Sequence, residues 1–170
     1  MTGLLRGALL LLAIPALSAC ATTAPDHSAH HGSFPEATPF KEGQERVDLE
    51  AELAMARVSE KPVLVIFGAN WCHDSRALAG WLQSDELAPF VDESFAVIYI
   101  DAGVPQTGDG QNLDVAARFG VTDISGTPTM LVIGPGGELL NTPEDAKGWR
   151  NAASRSGKEI KRALESYLRQ

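Results

Sequence analysis

The sequence predicts an α/β domain in which a central mixed sheet lies between helices on both faces. Three observations carry this. Short, continuous apolar runs at residues 63–67, 95–100 and 129–133 are rich in β-branched side chains, as strands covered on both faces are. Segments with helical spacing alternate with these runs, which implies crossover connections and parallel pairing in the first part of the sheet. A Gly134-Pro135-Gly136-Gly137 stretch then joins the third run to Glu138-Leu139-Leu140, a hairpin signal that makes the last pair antiparallel.

Each element follows from local chemistry. Over residues 44–60 the apolar positions Val47, Leu49, Leu53, Ala54, Ala56 and Val58 form a loose amphipathic stripe, and Pro62 stops the helix. The run Val63-Leu64-Val65-Ile66-Phe67 ends at Gly68. Residues 72–83 and 84–92 read as helices, the second opening with Ser84 or Asp85 as a cap and interrupted near Pro89. The strand at 95–100 leads into a turn-rich loop over 101–111 and a short helix over 112–119, which Gly120 closes. Ile160, Leu164, Tyr167 and Leu168 line one face of a closing helix, and Trp81 and Trp149 read as packing residues.

Composition bounds the rest. The chain has 170 residues, 44% hydrophobic and 21% charged, which suits one globular domain over residues 41–170. A formal net charge of -8 opposes a phosphate backbone, so nucleic acid is excluded as a partner. Residues 1–19 carry one basic residue, Arg6, then a short apolar run and a small-residue tail; the run is too short to span a bilayer and reads as an export signal. Leu17-Ser18-Ala19-Cys20 resembles the lipobox of bacterial lipoproteins. That resemblance implies cleavage before Cys20, acylation of its sulfur and a firm lipid anchor in the bacterial cell envelope, facing the periplasm. Ala21 after the cysteine points, by the same resemblance, to the outer membrane. Residues 20–40 then form a lipidated, flexible tether, with Pro25, Pro35 and Pro39 among small polar residues. His27, His30 and His31 beside Asp26 read as part of a solvated linker. Such a tract also suits zinc or copper, but no metal site is assigned.

Trp71-Cys72-His73-Asp74-Ser75 at the start of a helix after a strand, with Gly126-Thr127-Pro128 before a later strand, resembles the thioredoxin superfamily. Ala69-Asn70, Arg76-Ala77-Leu78, Asn112-Leu113-Asp114-Val115-Ala116 and Phe119-Gly120-Val121 narrow the likeness to bacterial thioredoxin-family proteins related to disulfide reductases, over residues 44–168. The resemblance implies a thioredoxin-like three-layer sandwich with a sheet of four to five strands. It makes Cys72 the reactive thiol and Trp71, His73, Thr127 and Pro128 the substrate-binding residues, with a cis Thr127-Pro128 bond beside Cys72; Ser75, one helical turn on, is the second candidate catalytic residue by its spacing and not by the resemblance. A cysteine at a helix start meets free backbone N–H groups and the positive end of the helix dipole, which favour the attacking thiolate. Protonated His73 would reinforce this and Asp74 oppose it, unless Asp74 is simply a first-turn acid suited to the dipole.

Two departures from the family pattern shape the functional reading. Ser75 stands where redox-active relatives carry a second cysteine, and Ile66 where thioredoxins often carry a buried acid. An internal disulfide is therefore excluded, and monothiol exchange remains, with Ser75 Oγ expected to donate a hydrogen bond to the Cys72 thiolate. The leading expectation is an envelope disulfide reductase or isomerase acting through Cys72. It needs no cofactor, and its partners are client proteins with disulfides or thiols and a small thiol such as glutathione. The alternative is a redox-silent module binding envelope proteins in the groove beside Pro128. A weaker third reading, metal delivery from the tether histidines to Cys72, lacks the second cysteine and late histidine of copper-handling relatives.

Overall fold

The structure, a computed structural model, describes residues 34–43 and 49–169. The signal segment, Cys20, the three tether histidines, Val47 and the side chain of Ala56 lie outside the described residues.

The strand β1 (Val63–Gly68) is the centre of the sheet and is buried along its whole length. It pairs in parallel with β2 (Ala96–Asp101), Val63 opposite Ala96 and Gly68 opposite Asp101. On its other side it pairs antiparallel with the last strand of the sheet, Thr129–Ile133, with Val65 opposite Leu131. Side chains alternate across this sheet, as the period of two requires. Val63, Val65 and Phe67 join Leu49, Leu53, Ile98, Ile100 and Val115 in one core; Leu64 and Ile66 join Leu78, Leu82, Leu87, Val91, Met130, Ile160 and Leu164 in the other. Helix α1 (Leu49–Ser59) covers the first face, and α2 (His73–Leu82), α3 (Ala88–Ser94) and the closing helix Gly157–Tyr167 cover the second. The expected three-layer α/β arrangement is thus present.

The sheet is shorter than the four to five strands expected. Among the described residues three strands form the ladder, in the order β2, β1, Thr129–Ile133. The hairpin after Ile133 does form, with Gly134 N–H donating to Glu138 O at 2.8 Å, but its returning arm makes only a single bridge, Leu139 to Ile133. The cause is Asn141. Its amide takes the place of a strand backbone, accepting from Val132 N–H and donating to Met130 O, both at 2.9 Å, while Leu140 N–H reaches Val132 O at 2.8 Å.

Other local differences have equally local reasons. Pro89 begins α3 instead of interrupting a helix, because its ring suits the first turn where no N–H is needed. The loop over 101–111 folds into a small antiparallel ribbon, β3 (Gly103–Val104) with β4 (Asp109–Gly110), around a 3₁₀ turn at Pro105–Thr107. Helix α4 (Leu113–Ala117) follows, and Thr129–Ile133 is accordingly β5. After the hairpin come a short α5 (Pro143–Lys147), capped by Thr142 Oγ, and a 3₁₀ turn at Ala152–Ser154. Ala146 of α5 sits in the first core, whereas Trp149 and Ala152 sit in the second, so this segment passes round the β5 edge of the sheet. The closing helix, α6 (Gly157–Tyr167), opens with a capping box between Ser156 and Glu159. No helix among the described residues is long and apolar enough to cross a membrane.

Candidate functional site

Strand β1 ends at Gly68, where a side chain would displace the Phe40 ring: a Cβ there would stand 2.5 Å from Phe40 Cε1. The chain then turns, Cys72 N–H bonding to Ala69 O at 3.0 Å, and α2 starts. Cys72 is its N-cap, with φ −85° and ψ 119°, and its side chain makes no capping hydrogen bond to the first turn. Cys72 is half-buried and unpaired with another cysteine. Its Sγ–H donates to Thr127 O at 3.4 Å, across 55 residues of sequence. The Thr127-Pro128 bond is cis, as expected, and both residues are buried.

The structure therefore brings Cys72, Thr127 and Pro128 together. Trp71 flanks them, 47% exposed, its indole N–H donating to Gly103 O at 3.2 Å in the β3 ribbon. Ser75 is a correction. Its Oγ is completely buried and has no hydrogen-bond partner, so it does not meet Cys72. The reason is geometric: Cys72 is an extended cap residue, whereas Ser75, inside the first turn, points into the sheet, where a Cβ on Gly68 would lie 3.0 Å from it. Ile66 is fully buried between Tyr99 and Met130 of the neighbouring strands, so the position below the site is apolar.

The two residues between Cys72 and Ser75 anchor flanking segments. His73 is exposed, and its ring meets Phe34 edge-on, centroids 4.8 Å apart. Phe34 belongs to a strap, residues 34–40, that was expected to be flexible tether but is packed along α2. Ala37 N–H bonds to Arg76 O at 3.1 Å, Arg76 pairs with Glu36 at 3.3 Å, and Gly80 leaves room for the strap backbone at Pro35. Phe40 ends the strap in the core, with 2% exposure, its backbone N–H and O both held by the Asn70 amide. Asn70 and Arg76, which also donates to Asn70 O and Trp71 O, thus shape the loop that presents Cys72. On the other flank, Asp74 Oδ1 accepts from Ala153 N–H at 2.9 Å.

No group of three or more His, Cys, Asp and Glu side chains among the described residues stands ready to hold a metal. Two clefts of roughly 300 Å³ open elsewhere, one beside α4 at Leu113, Val121 and Ile124, the other at Leu82, Val91 and Tyr99. Neither is lined by Cys72.

The sequence model of a family described as thioredoxin-like matches residues 44–135. The chain belongs to the thioredoxin-like family. Among solved structures, this thioredoxin-like chain is similar to the crystal structure of a disulphide isomerase from Xylella fastidiosa Temecula1, at 28% identity and a TM-score of 0.64, covering 78% of this chain and 96% of that one. No curated protein matches the thioredoxin-like chain. The strap and the Asp74 partner at Ala153 both lie outside the stretch that the family's sequence model matches.

Proposed function

We propose that the chain is a monothiol thiol–disulfide exchange protein of the bacterial cell envelope, a disulfide reductase or isomerase that works through Cys72. The observation that carries this reading is the half-buried Cys72 Sγ at the start of α2, 3.4 Å from Thr127 O beside the cis proline. The likeness to a disulphide isomerase supports the same chemistry. The lipobox-like Leu17-Ser18-Ala19-Cys20 supports the location, a lipid anchor holding the domain on the periplasmic side, at the outer membrane.

The thiolate of Cys72 attacks one sulfur of a client disulfide in line with the S–S bond. A mixed disulfide between Cys72 and that sulfur forms, and the second client sulfur leaves as thiolate. Because the chain has only two cysteines and the other is Cys20, resolution comes from outside the domain. When a different client thiolate attacks the client sulfur of the mixed disulfide, the client is isomerised with no net redox change. When two molecules of a small thiol such as glutathione act in turn, the client is reduced and the small thiol becomes its disulfide. Thr127 supplies backbone groups at the edge on which an extended client peptide docks.

Acid quenching of intact cells followed by alkylation, with recovery of proteins disulfide-linked to the chain, tests the reading. Wild type is expected to carry adducts that a reductant releases, and Cys72→Ala none. A wild-type chain without adducts rejects it. The position of Ser75 and the apolar Ile66 favour a second reading, a redox-silent module that holds envelope proteins beside Pro128. Noncovalent client capture that survives Cys72→Ala, with no adducts in wild type, selects this reading instead.

A further inference from the structure

The contacts around Cys72 close into a ring that sequence order does not suggest. From Cys72 the ring runs through Sγ to Thr127 O, then along the backbone to Gly126 and Ser125. Arg150 lies over this loop: its Nη1 donates to Ser125 Oγ at 3.2 Å, and a Cβ on Gly126 would fall 2.8 Å from Arg150 Cδ. Three residues on, Ala153 N–H donates to Asp74 Oδ1 at 2.9 Å, which returns the ring to the first turn of α2. The loop that presents Thr127 is therefore braced against the helix that presents Cys72 by one short segment, residues 148–155.

That segment is tied to the core and to itself. Trp149 and Ala152 root it in the second core, at 2% and 0% exposure. Arg150 Nε donates to Lys147 O at 3.1 Å; Arg155 donates to Gly148 O at 2.8 Å and Asn151 Oδ1 at 3.1 Å while stacking over the Trp149 ring at 4.4 Å. A cation over an indole face adds to the hold. The Arg150 stem lies where a Cβ on Gly126 would stand, so the two are in close approach.

We infer that Asp74 and Arg150 are positioning residues that brace the Thr127 edge at the distance from Cys72 that an extended peptide disulfide needs and a small disulfide does not. The inference rests on the exchange reading above and deepens it. A small disulfide needs only the Cys72 sulfur, whereas an extended peptide must also meet the Thr127 backbone at a fixed distance from it. Loosening the brace lowers binding of the peptide in ground and transition states alike, which raises KM and leaves kcat unchanged. Asp74 acts here as a hydrogen-bond acceptor and not through its charge.

The experiment uses the full chain in detergent, with glutathione as reductant and two probes: a ten-residue peptide with one internal disulfide, and oxidised glutathione exchanged with a labelled thiol. Asp74→Ala and Arg150→Ala are expected to raise KM for the peptide roughly five- to tenfold with kcat within about twofold, and to leave the glutathione reaction unchanged. Asp74→Asn keeps the acceptor without the charge and is expected to match wild type; if it behaves as Asp74→Ala, charge is the cause and the inference fails. It fails equally if both alanine variants match wild type or slow both probes alike. Should an alanine variant misfold, Gly126→Ala, which displaces the Arg150 stem, serves in its place. If wild type turns over neither probe, the exchange reading falls by itself. Hydrogen exchange over residues 125–130 then decides the brace, faster in Asp74→Ala but not in Asp74→Asn if it exists, and equal in both if it does not.

Discussion

Replacing Gly80 by Ala tests whether the strap over residues 34–40 belongs to the fold. In an unobstructed helix the exchange stabilises by up to about 1 kcal/mol, because Ala has less backbone freedom to lose than Gly. Gly80 is buried within α2, and a Cβ on it would strike Pro35 C and O and stand 2.6 Å from Glu36 N. These are backbone atoms, so the strap must lift. Lifting residues 34–37 removes the Ala37–Arg76 hydrogen bond, worth about 1 kcal/mol. It also removes the Phe34–His73 edge contact, ~0.5–1.5 kcal/mol, and the half-exposed Glu36–Arg76 pair, ~0–1 kcal/mol. The losses exceed the helix gain, and Gly80→Ala should destabilise by about 0.5–2.5 kcal/mol while Asn70 keeps Phe40 seated. If the Phe40 ring leaves as well, a further ~1.5–3 kcal/mol is lost. Urea denaturation gives the sign, and amide exchange at Ala37 reports the strap directly. A stabilised variant with Ala37 still protected would refute the reasoning.

Other expectations follow from single contacts. Asn141→Ala leaves Val132 N–H and Met130 O without their buried partner and should cost about 2–4 kcal/mol in urea denaturation. The Ser156 backbone N–H, followed by the Ser156 hydroxyl, holds the Glu159 carboxyl below its ordinary range; a lowered pKa stabilises above the unfolded value and is lost as pH falls through the folded one. Glu159→Gln should therefore flatten the acid side of the stability profile measured by thermal melting. Burial raises the hydroxyls of Tyr99 and Tyr167 above 10.0, which stabilises the fold below that value and is lost as pH rises past it. Ultraviolet titration should show both tyrosines ionising late, with Tyr99→Phe shifting alkaline unfolding upward.

The central sheet was legible because β1 and β5 are buried on both faces and β2 is half-buried to buried throughout, and continuous apolar runs have few other uses in a chain of this length. The start of α2, the cis proline and their meeting at Cys72 followed from short motifs whose geometry is local on each side. What escaped notice depends on distant partners. Residues 34–40 have the composition of a linker, and only the Asn70 amide and the space at Gly68 and Gly80 show that Phe40 is core. Asp74 is an ordinary first-turn acid until Ala153, 79 residues on, donates to it. Ser75 was placed by helical spacing, which ignores that a cap residue and a first-turn residue project differently. The missing fourth strand turns on Asn141, whose amide imitates a peptide group in a way no propensity registers.

That imitation also fills the hydrogen-bonding groups of an edge strand. An unpaired strand margin invites other chains to add to it, the usual first step toward fibrils. At β5 the invitation is withdrawn by one carboxamide, with the Leu139 bridge beside it, instead of by a full extra strand. Strand addition at the β5 edge is thus opposed by a device small enough for one nucleotide change to remove.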